Sequence, residues 1–162
     1  MRGDFVLYEA KPGSLPDWLV ARFTGGPYVH VEIDLGNGLF VGEHGAGITV
    51  HKIDAGRGSA FVTPVSTEPG GIEAGMQWVE KVIEEQQKNP ASHTYGWLDI
   101  AVDVAKIVGA KLTFQKSGAW DCSHFVALYL QVAFAAGPLG KLLDSPESIS
   151  PNDLARAFGV LK

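Results

Sequence analysis

The sequence predicts a single α+β domain, an antiparallel sheet packed against helices. Three observations carry this reading. The first half is Gly-rich and alternates in residue type like strands, the second half has apolar residues at helical spacing, and strands bunched before helices argue against alternating α/β. The length of 162 residues fits one domain spanning 1–162.

The elements follow in chain order. Phe5 to Tyr8 reads as a short apolar strand, and Leu15 to Phe23 as a short helix with Pro16 in its first turn. Tyr28 to Leu35 alternates: Val29, Val31, Ile33 and Leu35 fall on one face, and Tyr28, His30, Glu32 and Asp34 on the other. Gly36-Asn37-Gly38 signals a hairpin, and Leu39 to Val41 returns as the partner strand. Ile48 to Ile53 and Ala60 to Val65 are further strands, and Glu68-Pro69-Gly70-Gly71 is turn chemistry. Ile72 to Lys88 is an amphipathic helix through Ile72, Met76, Val79 and Ile83, ended by Asn89-Pro90. Trp97 to Val108 is a second helix with a polar edge at Asp99, Asp103 and Lys106. Cys122 to Ala136 is the greasiest helix, stopped by Gly137-Pro138, and Pro151 to Phe158 is a short last one.

Composition excludes several classes. Apolar residues are 46% and charged residues 19%, which is not the balance of a disordered chain. A net charge of −5 argues against a nucleic-acid partner held by electrostatics. One cysteine excludes an intrachain disulfide and a Cys-rich zinc site. The N-terminal segment lacks the apolar run of a secretory signal, and the stretch from Phe125 to Ala136 is too short for a membrane span. The expectation is a cytoplasmic chain at synthesis; release without a signal, as on lysis, is compatible with it.

The most informative segment is Trp120-Asp121-Cys122-Ser123-His124-Phe125-Val126. Asp121 suits an N-cap, which places Cys122 at the first helical position. The unpaired N–H groups and positive dipole end there favour a thiolate, while the charge of Asp121 opposes it. A cysteine nucleophile needs a base within hydrogen-bond reach and a third group to hold that base. His30, on the polar face of its strand, is the candidate base.

The returning strand supplies the third group, and the loop decides which. A two-residue turn at Gly36-Asn37 sets His30 against Glu43, and a three-residue loop sets it against His44. A turn at Asn37-Gly38 sets Glu32 against Glu43, and a bulge at Gly42 shifts the register again. Glu43 is the first choice and His44 the second. His124, one turn into the cysteine helix, is a further cleft candidate. His51 and His93 read as surface residues. A zinc site from His30, Glu32, His44 and His51 is a weaker rival, because no recognised ligand spacing is present.

The segment TGGPYVHVEIDLGNGLFVGEHGAGI, then YGWLDI, then WDCSHFVALYL, resembles the circularly permuted branch of the NlpC-type, papain-like cysteine hydrolases. That branch includes the YiiX-like bacterial proteins and the lecithin:retinol acyltransferase-like proteins. In it the histidine strand comes early and the cysteine helix late. The resemblance covers roughly residues 5 to 136. It maps the family histidine to His30, the acidic third member to Glu43, the Cys-Ser pair to Cys122-Ser123, and a tyrosine near the cleft to Tyr95. The chain departs from the family at His124, where an acidic residue is usual.

The resemblance implies a permuted papain-like fold and a cysteine hydrolase using a Cys122–His30–Glu43 triad and a thioester intermediate. The implied substrates are peptidoglycan-type amides first and acyl esters second, so the expected partner is a small peptide or acyl substrate. Neither a metal nor an organic cofactor is required. The alternatives are an inactive binding module on the same fold and a thiol acyltransferase acting on lipid acyl groups. Arg57, in the loop DAGRGS, is a candidate for a substrate carboxylate, and Trp18, Trp97 and Trp120 read as core. The sequence leaves oligomeric state open.

Overall fold

The computed structural model describes residues 1–44, 47–65, 69–90, 122–134 and 149–162. Among them are strands β1 (Phe5–Glu9), β2 (Tyr28–Gly36), β3 (Leu39–His44), β4 (Gly47–Lys52) and β5 (Ser59–Val62). The helices are α1 (Leu15–Thr24), α2 (Gly71–Lys88), α3 (Cys122–Ala133) and α4 (Pro151–Ala157). The expected class, α+β with an antiparallel sheet, is what these elements form. The expected helix over 97–108, Asp121 and Tyr95 lie outside the described residues. No helix among the described residues is long and apolar enough to cross a membrane.

The strands form one sheet in the order β4-β3-β2-β1-β5, with every neighbouring pair antiparallel. The β2–β3 turn is Asn37-Gly38, both at positive φ, which matches the twist of the flanking strands. Leu35 is then an extra residue: Gly36 pairs with Leu39, but Asp34 pairs with Phe40 and Ile33 with Val41. This bulge resets the register, so the turn chemistry alone gives the wrong partner for every residue upstream of it.

The sheet has two unlike faces. Phe5, Leu7, Val31, Ile33, Val41, Ile48 and Val62 pack with Met76, Val79 and Val82 of α2 and with Phe125, Val126, Tyr129 and Leu130 of α3. This is the core. Gly75 lets α2 approach α3 closely, since a Cβ there would lie 2.7 Å from the Tyr129 ring. The opposite face carries only a small apolar cluster, Val6, Tyr8 and Phe40. Trp18, expected in the core, is 57% exposed on α1, which contributes no buried residue.

The start of β2 is pinned from the helix layer. Asn152 of α4 is fully buried; its Nδ2 donates to the Tyr28 carbonyl at 2.7 Å and its Oδ1 accepts from the Tyr28 N–H at 3.0 Å. Those backbone groups would otherwise be unpaired next to a second bulge, where the register shifts between Tyr8/His30 and Glu9/Tyr28. The bulge lets Tyr28 and Val31 both face the core, and it fixes where His30 emerges on the other side.

Candidate functional site

Alternation along β2 and β3 decides which side chains meet. Tyr8 is paired with His30, and their rings stack at 5.8 Å, so His30 lies on the face away from α2 and α3. A Cβ on Gly42 would lie 2.7 Å from Glu32 Cγ, and the His30 and His44 rings sit 4.8 Å apart. The bulged register therefore sets Glu32 over Gly42 and His30 beside His44. Glu43, the first-choice third member, falls instead on the core face with Val31 and Val41 and is 2% exposed. It does not share a face with His30.

The described site is a pocket of about 360 Å³ lined by Tyr8, His30, Glu32, His44, Thr49, His51, Asp54 and Arg57. Its hub is one oxygen. Glu32 Oε1 lies 2.9 Å from His30 Nε2, 3.1 Å from His44 Nε2 and 2.9 Å from His51 Nε2. The other oxygen, Oε2, accepts the Tyr8 hydroxyl at 2.8 Å. His44 Nε2 and His51 Nε2 are themselves 3.1 Å apart. His51, expected on the surface, is thus part of the cluster, carried there by β4, where it pairs with Phe40 of β3.

Electrostatics follow from burial. Glu32 is 1% exposed, and burial opposes its ionisation, but the hydrogen bonds from His30, His44 and Tyr8 outweigh that and hold its carboxyl well below the usual carboxylate range. Burial pushes the His30 imidazole down, against the pull of Glu32, so it is the neutral form that is favoured. Burial and the Glu32 carboxylate push the Tyr8 phenol up, keeping it a donor. Arg57 closes one wall: it binds Asp17 at 2.9 Å and donates through Nε and Nη2 to the Glu9 carbonyl. Its guanidinium is engaged within the fold.

Cys122 is the first residue of α3, as expected, and packs against the core on the helix side. The described contacts bring His30 together with His44, while Glu43 falls on the core face of the sheet and Cys122 packs against that core. His124 is on the same helix, and Tyr95 lies outside the described residues. Sequence reasoning underrated Glu32 and Tyr8. The available signal was the i, i+2 spacing of His30 and Glu32 on one strand face, with His44 and His51 on the next two strands. A comparison of the chain with protein-family models finds no match, and a comparison with curated proteins finds none either.

Proposed function

We propose that this chain is a hydrolase of amide or ester bonds whose reaction centre is the pocket around Glu32. The resemblance to permuted papain-like hydrolases supports hydrolysis and that fold, with the histidine strand early and the cysteine helix late. That family's own mechanism is the thiol one; the pocket assignment stands on geometry. The observation that carries the pocket assignment is the convergence of three imidazole nitrogens on Glu32 Oε1 within 3.1 Å. Such a cluster can take the proton of an attacking water and return it to the leaving group, the general acid–base role that accelerates acyl hydrolysis by about 10²–10⁴-fold. The substrates to test are peptidoglycan-type peptides and acyl esters.

A second reading keeps Cys122 as a covalent nucleophile. One observation favours it: Cys122 opens the twelve-residue helix α3, where N–H groups and the helix dipole favour a thiolate. In that reading the thiol attacks the carbonyl, the leaving group departs, and water or another acceptor releases the thioester. One comparison separates the two. Turnover retained in Cys122→Ala and lost in Glu32→Gln is the expected result. Turnover lost in Cys122→Ala, with an acyl adduct on the thiol of the wild type, contradicts the pocket assignment and establishes the thiol mechanism.

A further inference from the structure

His51 sets the lone-pair arrangement of the cluster. Its Nδ1 lies 2.7 Å from the Lys52 carbonyl, which only accepts, so Nδ1 carries the hydrogen. In a neutral ring, Nε2 then presents a lone pair. That lone pair faces Glu32 Oε1 at 2.9 Å, and a carboxylate oxygen is also an acceptor. Two lone pairs at this distance repel unless a positive species lies between them. His44 Nε2, 3.1 Å from both atoms, faces the same spot.

We infer that His30, Glu32 and His44, with His51 beside Glu32 and His44, form a binding site for a divalent transition-metal ion of the zinc class. The donor atoms of His30, Glu32 and His44 all lie within 4.8 Å of one another. Imidazole nitrogen with one carboxylate oxygen is the donor set that suits zinc. Metal–ligand bonds of about 2.0–2.1 Å in a tetrahedral site put donors roughly 3.3 Å apart. The imidazole nitrogens lie 2.9–3.1 Å from Glu32 Oε1, and the donors of His30, Glu32 and His44 span at most 4.8 Å, so the side chains must adjust to close around an ion. The outer contacts fit as well. Ligating histidines donate their other ring nitrogen to a carbonyl or carboxylate, as His51 does to Lys52, and ligating carboxylates are themselves hydrogen-bonded, as Tyr8 does for Glu32 Oε2. With an ion bound, His30 and His44 present Nε2 lone pairs to it instead of donating Nε2–H to Glu32. This inference replaces the expectation of a metal-free centre. It also deepens the hydrolase reading, on which its catalytic role rests, because an ion here would lower the pKa of a water bound to it in the pocket. Ion binding itself is independent of that role.

The test uses the full chain carrying Cys122→Ala, or the wild type with its thiol alkylated, so that no sulfur contributes. Chelator-treated protein is titrated with zinc by calorimetry and with cobalt(II) by visible absorption. One ion per chain is expected, with the d–d bands of a nitrogen- and oxygen-ligated cobalt site. His51→Ala on edge strand β4 is expected to weaken binding at least tenfold, as is His44→Ala. Zinc is expected to raise the melting midpoint of the parent and to leave that of each variant nearly unmoved, which separates lost ligation from lost folding. Two results overturn the inference: no ion bound by the parent, which leaves a proton as the positive species, or binding that both histidine substitutions leave unchanged. Metal binding without turnover would instead count against the hydrolase reading alone.

Discussion

The two faces of the sheet are built from the same strands and do opposite work. On β2, Val31 and Ile33 point into the helix layer, while His30 and Glu32, one residue away from each, point into the open pocket. The helix face is held by non-directional burial, which tolerates small shifts and is lost roughly in proportion to apolar area. The pocket face is held by a few directional contacts to one carboxylate, each set within a few tenths of an ångström. Stability should therefore reside on the first face and specificity of chemistry on the second, and substitutions should separate the two.

A large expected effect on stability is Leu130→Ala, which empties part of the core under α3. A loss of about 2–5 kcal/mol is expected in chemical denaturation, with the pocket's metal affinity unchanged in the folded fraction. Asn152→Ala is expected to be of similar size. It leaves the Tyr28 backbone groups unpaired, at about 1–3 kcal/mol each. It should also reach the pocket, because it frees the strand start that aims His30. Gly42→Ala sharpens the comparison from the other side. Its new Cβ presses on Glu32 Cγ, so overpacking of roughly 1–3 kcal/mol is expected, with metal affinity falling although every ligand is kept. A circular-dichroism melt alongside a zinc titration reads both quantities. Retained affinity in Gly42→Ala would mean that Glu32 is not the hub.

Acid titration gives a smaller, signed effect. The Glu32 carboxyl is depressed in the folded chain. Its contribution is therefore present above the unfolded value of about 4.3 and is lost as pH falls through the folded one. Metal-free wild type should lose stability progressively on acidification below about pH 4.3, and Glu32→Gln should show a shallower acid limb. Equal slopes in the two proteins would remove Glu32 from the account. Arg57→Ala should cost about 1–2 kcal/mol, because it removes the screened ion pair with Asp17 and both hydrogen bonds to the Glu9 carbonyl.

The sheet and its hairpin were legible from the sequence because period-2 alternation and the Asn37-Gly38 turn are local signals. The helix α2 was legible from the spacing of Met76 and Val79, and α3 from the apolar run after Cys122 and its Gly137-Pro138 stop. The site was legible only in its residue types. A bulge at Leu35 is not encoded by any turn residue, and it moved Glu32 from Glu43 to Gly42 and brought His30 into register with His44. Pairing of β3 with β4 is a longer-range event, and it brought His51 off the surface into the cluster. The side of the sheet taken by α3 is set by tertiary packing, which no residue near Cys122 announces.

The most direct test of the split between the faces is the alkylation rate of Cys122 against pH in wild type and in His30→Ala. The single thiol makes the signal unambiguous. With the reaction centre in the Glu32 pocket and the thiol packed against the core, the same pH midpoint is expected in both proteins. A wild-type midpoint below the free-thiol value of about 8.5 that rises when His30 is removed would show the two groups to be coupled. It would return the reaction centre to Cys122.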